Sequence, residues 1–186
     1  MLPDLDWAGQ TAQCVGTRPL CQIPINPVWN PPAWFADMSS HVFSVPVLST
    51  PMSVRFGGQI EFLGYDSQQT GDTLQLTLVW RALAKMPADY KFFVHVANAA
   101  TAAVLIQQDR MPLDWQYPTS GWVPREVITD PVSLSLASLP PGDYQIRLGW
   151  YDPSSPDLPR LDAYDTAAGQ TWANNTVILP LKPARP

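Results

Sequence analysis

Charge is scarce in this sequence. Asp, Glu, Lys and Arg make up 15% of its 186 residues, against about 25% in an average soluble domain. No run of Lys or Arg occurs and the net charge is −5. The electrostatic footprint that nucleic acid or an anionic lipid surface requires is therefore missing. No apolar stretch approaches the ~18 residues of a membrane helix, and no leader pattern opens the chain. Any targeting or membrane segment of the parent protein is expected outside this sequence. Glutamate occurs only as Glu61 and Glu126, and histidine only as His41 and His95. There is no G-x-S-x-G elbow, and no two acids stand out as the pair a glycosidase needs. Catalysis is not expected; a secreted hydrolase of unrecognised type is a distant alternative. Windows with a sustained 3.6-residue apolar period are also lacking, which argues against a helical fold.

Proline, by contrast, is abundant. Its 21 residues compare with roughly nine at ordinary usage of about 5%. A residue that cannot donate a backbone hydrogen bond belongs in turns, strand edges and irregular segments. Eight prolines fall in residues 1–55, whereas only Pro87 occurs between residues 52 and 111. The division predicted from this is a Pro-rich extension over 1–55 and a β-sandwich over 56–182. The extension carries Cys14 and Cys21 in CVGTRPLC. Histidines are too few and too distant for a zinc site; the six-residue loop closes easily, so a local Cys14–Cys21 disulfide is expected, with two free thiols or buried small hydrophobes as the alternative. That bond would place the domain in an oxidising compartment, periplasmic or cell-surface.

The strands show as period-2 alternation. In DTLQLTLVWRA, Leu74, Leu76, Leu78, Trp80 and Ala82 share one face. In DYKFFVHV, Tyr90, Phe92, Val94 and Val96 alternate with Lys91, Phe93 and His95. In GDYQIRLGWYD, Ile146, Leu148 and Trp150 alternate with Gln145, Arg147 and Gly149. Weaker strands are read at 57–66, 103–109, 130–136 and 176–181. About seven short antiparallel strands separated by Thr-Gly-Asp, Met-Pro-Ala-Asp and Pro-Pro-Gly-Asp turns predict an all-β, immunoglobulin-like sandwich. In LPPGDYQIRL, Tyr144 follows a Pro-Gly turn at a strand start, the position of a tyrosine corner whose phenol bonds back to the preceding backbone.

Four stretches carry a resemblance: FGGQIEFLGYD (56–66), GDTLQLTLVWRALAKMPADYKFFVHV (71–96), YPTSGWVPREVITDP (117–131) and LPPGDYQIRLGWYDP (139–153). In order and spacing they resemble the C-terminal extracytoplasmic β-sandwich of bacterial multi-span membrane glycosyltransferase-like proteins, of the dolichyl-phosphate-mannose mannosyltransferase type. The resemblance covers about residues 55–181. It implies a sandwich fold and an extracytoplasmic location, with transfer chemistry in a membrane part of the parent. The matching residues are mostly turn glycines and core side chains, so they speak to fold more than to activity. Residues 1–55 have no counterpart in it.

Two clusters are candidate sites. DWQYPTSGW places Asp114, Trp115, Tyr117, Thr119, Ser120 and Trp122 in one loop, where flat aromatic faces could stack a sugar and hydroxyls could bond it. Alternatively these aromatics close the end of the core, since Trp is largely buried on average. YDPSSPDLPRLDAYD brings Asp152, Asp157, Asp162 and Asp165 close in sequence. Calcium takes six to eight oxygen ligands, so a calcium site is one reading of this cluster and solvated turn acids the other; no other cofactor is expected. Asn174-Asn175-Thr176 is a glycosylation sequon that matters only in a glycosylating pathway. The expectation is a non-catalytic extracytoplasmic accessory domain with a glycan or a cell-envelope protein as partner. The alternative is a purely structural spacer.

Overall fold

Residues 41–181 are described by the computed structural model; Cys14 and Cys21 lie outside them. Among the described residues ten strands form: β1 (Thr50–Phe56), β2 (Ile60–Thr70), β3 (Thr73–Ala82), β4 (Lys91–Asn98), β5 (Val104–Arg110), β6 (Val127–Ser135), β7 (Tyr144–Tyr151), β8 (Ala163–Asp165), β9 (Gln170–Thr171) and β10 (Val177–Pro180). They pair antiparallel in two sheets, ordered β6-β3-β2-β1-β8-β9 and β10-β7-β4-β5. The seven strands read from the sequence are β2 to β7 and β10. They lay β6-β3-β2 against β10-β7-β4-β5, the cross-sheet arrangement of an immunoglobulin-like sandwich. Among the described residues the helical content is two short 3₁₀ turns, Thr119–Gly121 and Ala173–Asn175.

Alternation decides which side chains fill the space between the sheets. Leu74, Leu76, Leu78 and Trp80 from β3 meet Phe92, Val94 and Val96 from β4 and Ile146, Leu148 and Trp150 from β7, all buried. Trp80 sits at the centre, its ring centroid 4.9 Å from Phe62, 5.7 Å from Phe92 and 5.0 Å from Trp150. Such edge and tilted pairs add about 0.5–1.5 kcal/mol each beyond burial. The Tyr144 phenol donates to the Pro140 carbonyl, closing the corner expected where β7 begins.

Three strands go beyond the sequence reading. β8 and β9 are too short to alternate visibly. β1 is more consequential, because all of it except Phe56 lies inside the segment assigned to the extension. The sandwich therefore begins before residue 56: β1 pairs with both β2 and β8, and the Val42 carbonyl accepts from Val127 N at 2.7 Å. Pro51 obscured this strand. It is tolerated because the β1–β2 register shifts between Pro51 and Val54, a bulge where a ladder donor is dispensable. Opposite it stands Gly64 at φ +133, where a Cβ would overlap the Thr50 carbonyl.

Candidate functional site

The β5–β6 loop, residues 111–126, holds the aromatic candidates, and two buried polar clusters shape it. The first is an ion pair between the sheets. Arg110 ends β5, one edge of the four-stranded sheet, and Asp130 lies in β6, one edge of the six-stranded sheet. Alternation along β6 turns Asp130 inward between Ile128 and Val132. Its Oδ1 accepts from Arg110 at 2.7 Å and its Oδ2 from the Leu113 backbone N–H at 3.0 Å. The guanidinium also reaches the Pro131 carbonyl at 2.6 Å and lies 5.5 Å from the Phe92 ring. Burial pushes the Asp130 carboxyl up to about 6, against the opposing pull of Arg110 and of the Leu113 amide.

The second cluster was not foreseen. Glu126 receives the Tyr117 phenol at 3.0 Å, His41 Nδ1 at 2.7 Å and the Val123 amide at 3.0 Å. The His41 and Glu126 side chains are almost fully buried. A buried carboxylate needs this many donors. Sequence could not pair His41 with residues 76 and 85 positions away, because the contact exists only once the chain preceding β1 lies along β6.

Between these clusters the backbone takes an unusual course. Leu113, Asp114 and Trp115 occupy consecutive left-handed positions, at φ 49, 54 and 71. For residues other than glycine this costs roughly 1–2 kcal/mol each, and such strain persists only where surrounding structure enforces it. Here Asp130 grips Leu113 N, and Arg110 Nη1 approaches Asp114 Oδ1 at 3.5 Å. The turn carries Trp115 outward, 51% exposed, with Lys91 Nζ 4.6 Å from its ring centroid.

The six loop candidates thus separate. Asp114 and Trp115 face solvent. Trp122 is fully buried, edge-on to Trp150 at 5.9 Å, with Nε1 donating to the Tyr117 carbonyl. Thr119 is buried too: its hydroxyl donates to the Ala88 carbonyl and accepts from Tyr90 N. The Ser120 amide bonds Asp89, and its carbonyl accepts from Lys85. Tyr117 is half-buried over the Glu126 cluster. Four of the six therefore close the end of the core or anchor the loop, and the contact surface left to a ligand is Asp114, Trp115 and, from β4, Lys91.

The four aspartates of 152–165 do not converge. Asp152 accepts from the Ser154 amide and hydroxyl, which hold its carboxyl below the usual range. Asp165 accepts from the Ala167 and Ala168 amides. Asp162 accepts from the Asn175 side-chain Nδ2, and Asp157 is exposed. Among the described residues no group of three or more His, Cys, Asp or Glu is placed to hold a metal ion. His95 Nε2 pairs with Asp109 at 3.0 Å on the outer sheet face. Among the described residues no helix is long and apolar enough to cross a membrane.

No protein-family model matches the sequence, and no curated protein or solved structure matches it.

Proposed function

We propose that this sandwich is a non-catalytic extracytoplasmic accessory domain of a membrane or cell-envelope protein, binding glycan through the 113–115 turn. Trp115 carries the reading. A half-exposed tryptophan forgoes on the order of 1 kcal/mol of burial, and it stands on a strained turn that a buried ion pair holds in place. The Lys91 contact on the ring contributes about 0.5–1 kcal/mol at an exposed site, less than the strain of the turn, whereas a ring presented rigidly suits stacking on the apolar face of a sugar, with Asp114 and Lys91 available to its hydroxyls. The resemblance of residues 55–181 to sandwich domains of membrane glycosyltransferase-like proteins supports the location and the kind of parent.

A structural spacer is the second reading, favoured by the burial of Trp122 and Thr119. The two separate in a glycan array followed by calorimetry on wild type, Trp115→Ala and Trp122→Ala. Under the binding reading Trp115→Ala keeps its melting temperature and loses the ligand, while Trp122→Ala loses stability. Absence of any glycan ligand for the wild type would leave the spacer.

A further inference from the structure

We propose that the glycan seat continues from Trp115 across the outer face of the four-stranded sheet and takes a chain bearing carboxylates, a uronate glycan; this rests on the glycan reading above. Register fixes the composition of that face. Lys91 stands opposite Tyr151, Phe93 opposite Gly149 and Asp109, and His95 opposite Arg147 and Gln107, so these residues share the side facing away from the core. Gly149 has no Cβ because the Phe93 ring and the Asn175 carbonyl occupy its place. Above Phe93 lies the Arg160 guanidinium, 4.8 Å from the ring centroid.

The face therefore carries three cations, Lys91, Arg147 and Arg160, on a chain of net charge −5. None of the three makes a salt bridge among the described residues, where the ion pairs are those of His41, Arg81, His95 and Arg110. Arg147 Nη1 and Arg160 Nη1 reach only uncharged oxygens, those of Ala102 and of Asn174 and Thr176. The one acid in these rows, Asp109, is engaged by His95 and by the Tyr151 phenol. An internally satisfied acid beside unpaired cations complements a negative ligand. Arginine's planar fork matches a carboxylate bidentately. Lys91 and the His95–Arg147 row are four residues apart along β4, roughly 13 Å, a span for several linked sugars rather than one ring. Lys91 touches Trp115, which joins the stacking surface to the charged one.

Calorimetry and affinity electrophoresis at physiological salt would use polygalacturonate and alginate, with neutral galactan and dextran sulfate alongside. The variants are Trp115→Ala, Lys91→Gln, Arg147→Gln and Arg55→Gln, the last an exposed cation on β1 of the other sheet. The expected result is uronate binding lost in Trp115→Ala, weakened about tenfold or more in Lys91→Gln and Arg147→Gln, and unchanged in Arg55→Gln. Galactan bound through Trp115 with no loss in Lys91→Gln or Arg147→Gln would overturn the charge selection and leave the glycan function standing. Dextran sulfate bound as tightly as uronate, and equally weakened by Arg55→Gln, would overturn it as mere attraction of polyanions. No binding to any of the four would overturn this inference together with the glycan reading.

Discussion

Asp130 ties three features of this domain together: an inward register on an edge strand, an ion pair between the sheets, and the turn bearing Trp115. An inward charge and Pro131 on β6 also discourage edge-to-edge association. Its carboxyl, raised from 3.8 to about 6, is protonated in the native state over a pH range where the unfolded chain has lost the proton. The native state then binds more protons, so this group's contribution to stability is full below about pH 4 and is lost as pH rises through about 6. The shift corresponds to on the order of 3 kcal/mol. Urea unfolding between pH 4 and 7.5 should show wild type losing stability relative to Asp130→Asn; parallel profiles would show that Asp130 does not titrate in this window. Arg110→Ala leaves the same carboxylate buried and unpaired. It should cost about 3–5 kcal/mol at pH 7.5 and distinctly less at pH 4, where Asp130 is neutral, as the same unfolding curves would record.

Strand β1 shows how an element can be real without being periodic. It has only Val54 and Phe56 fully buried, includes a proline, and closes against β2 through a bulge. Gly64 makes that closure feasible, combining positive φ with backbone contact. Gly71, in the β2–β3 turn, has φ +56 but open space around it. Gly64→Ala should therefore destabilise by well over 1 kcal/mol, since strain and overlap add, whereas Gly71→Asn should cost only a few tenths, because Asn tolerates the left-handed region. Thermal melts of the two variants would test this difference, and equal losses would count against the bulge geometry.

At the scale of the whole molecule, one core joins both sheets, with Trp80 of one sheet edge-on to Trp150 of the other. The sheets should consequently unfold together. Leu76→Ala in β3 and Leu148→Ala in β7 remove fully buried side chains from opposite sheets. Each should lower the same single transition by about 2–5 kcal/mol, read by tryptophan fluorescence and far-UV circular dichroism in parallel. Separation of the two probes in either variant would show that the domain does not unfold as one unit.

The amino-acid pattern alone determined the two-sheet β class, seven of the strands, and the ten core residues taken from β3, β4 and β7. Burying one face of a pleated strand forces a period of two, and that period can be read locally. The Pro-Gly-Asp-Tyr corner was legible for the same reason, since donor and acceptor are four residues apart. Only the tertiary structure decided which loop aromatics face water. Trp115 and Trp122 are chemically identical, and what separates them is a left-handed turn held by Asp130, twenty residues from Arg110 in sequence. The His41–Tyr117–Glu126 cluster and the cationic sheet face are of the same kind. Their members come from separate strands and loops, and strand pairing and sheet closure bring them together where no local periodicity marks the meeting.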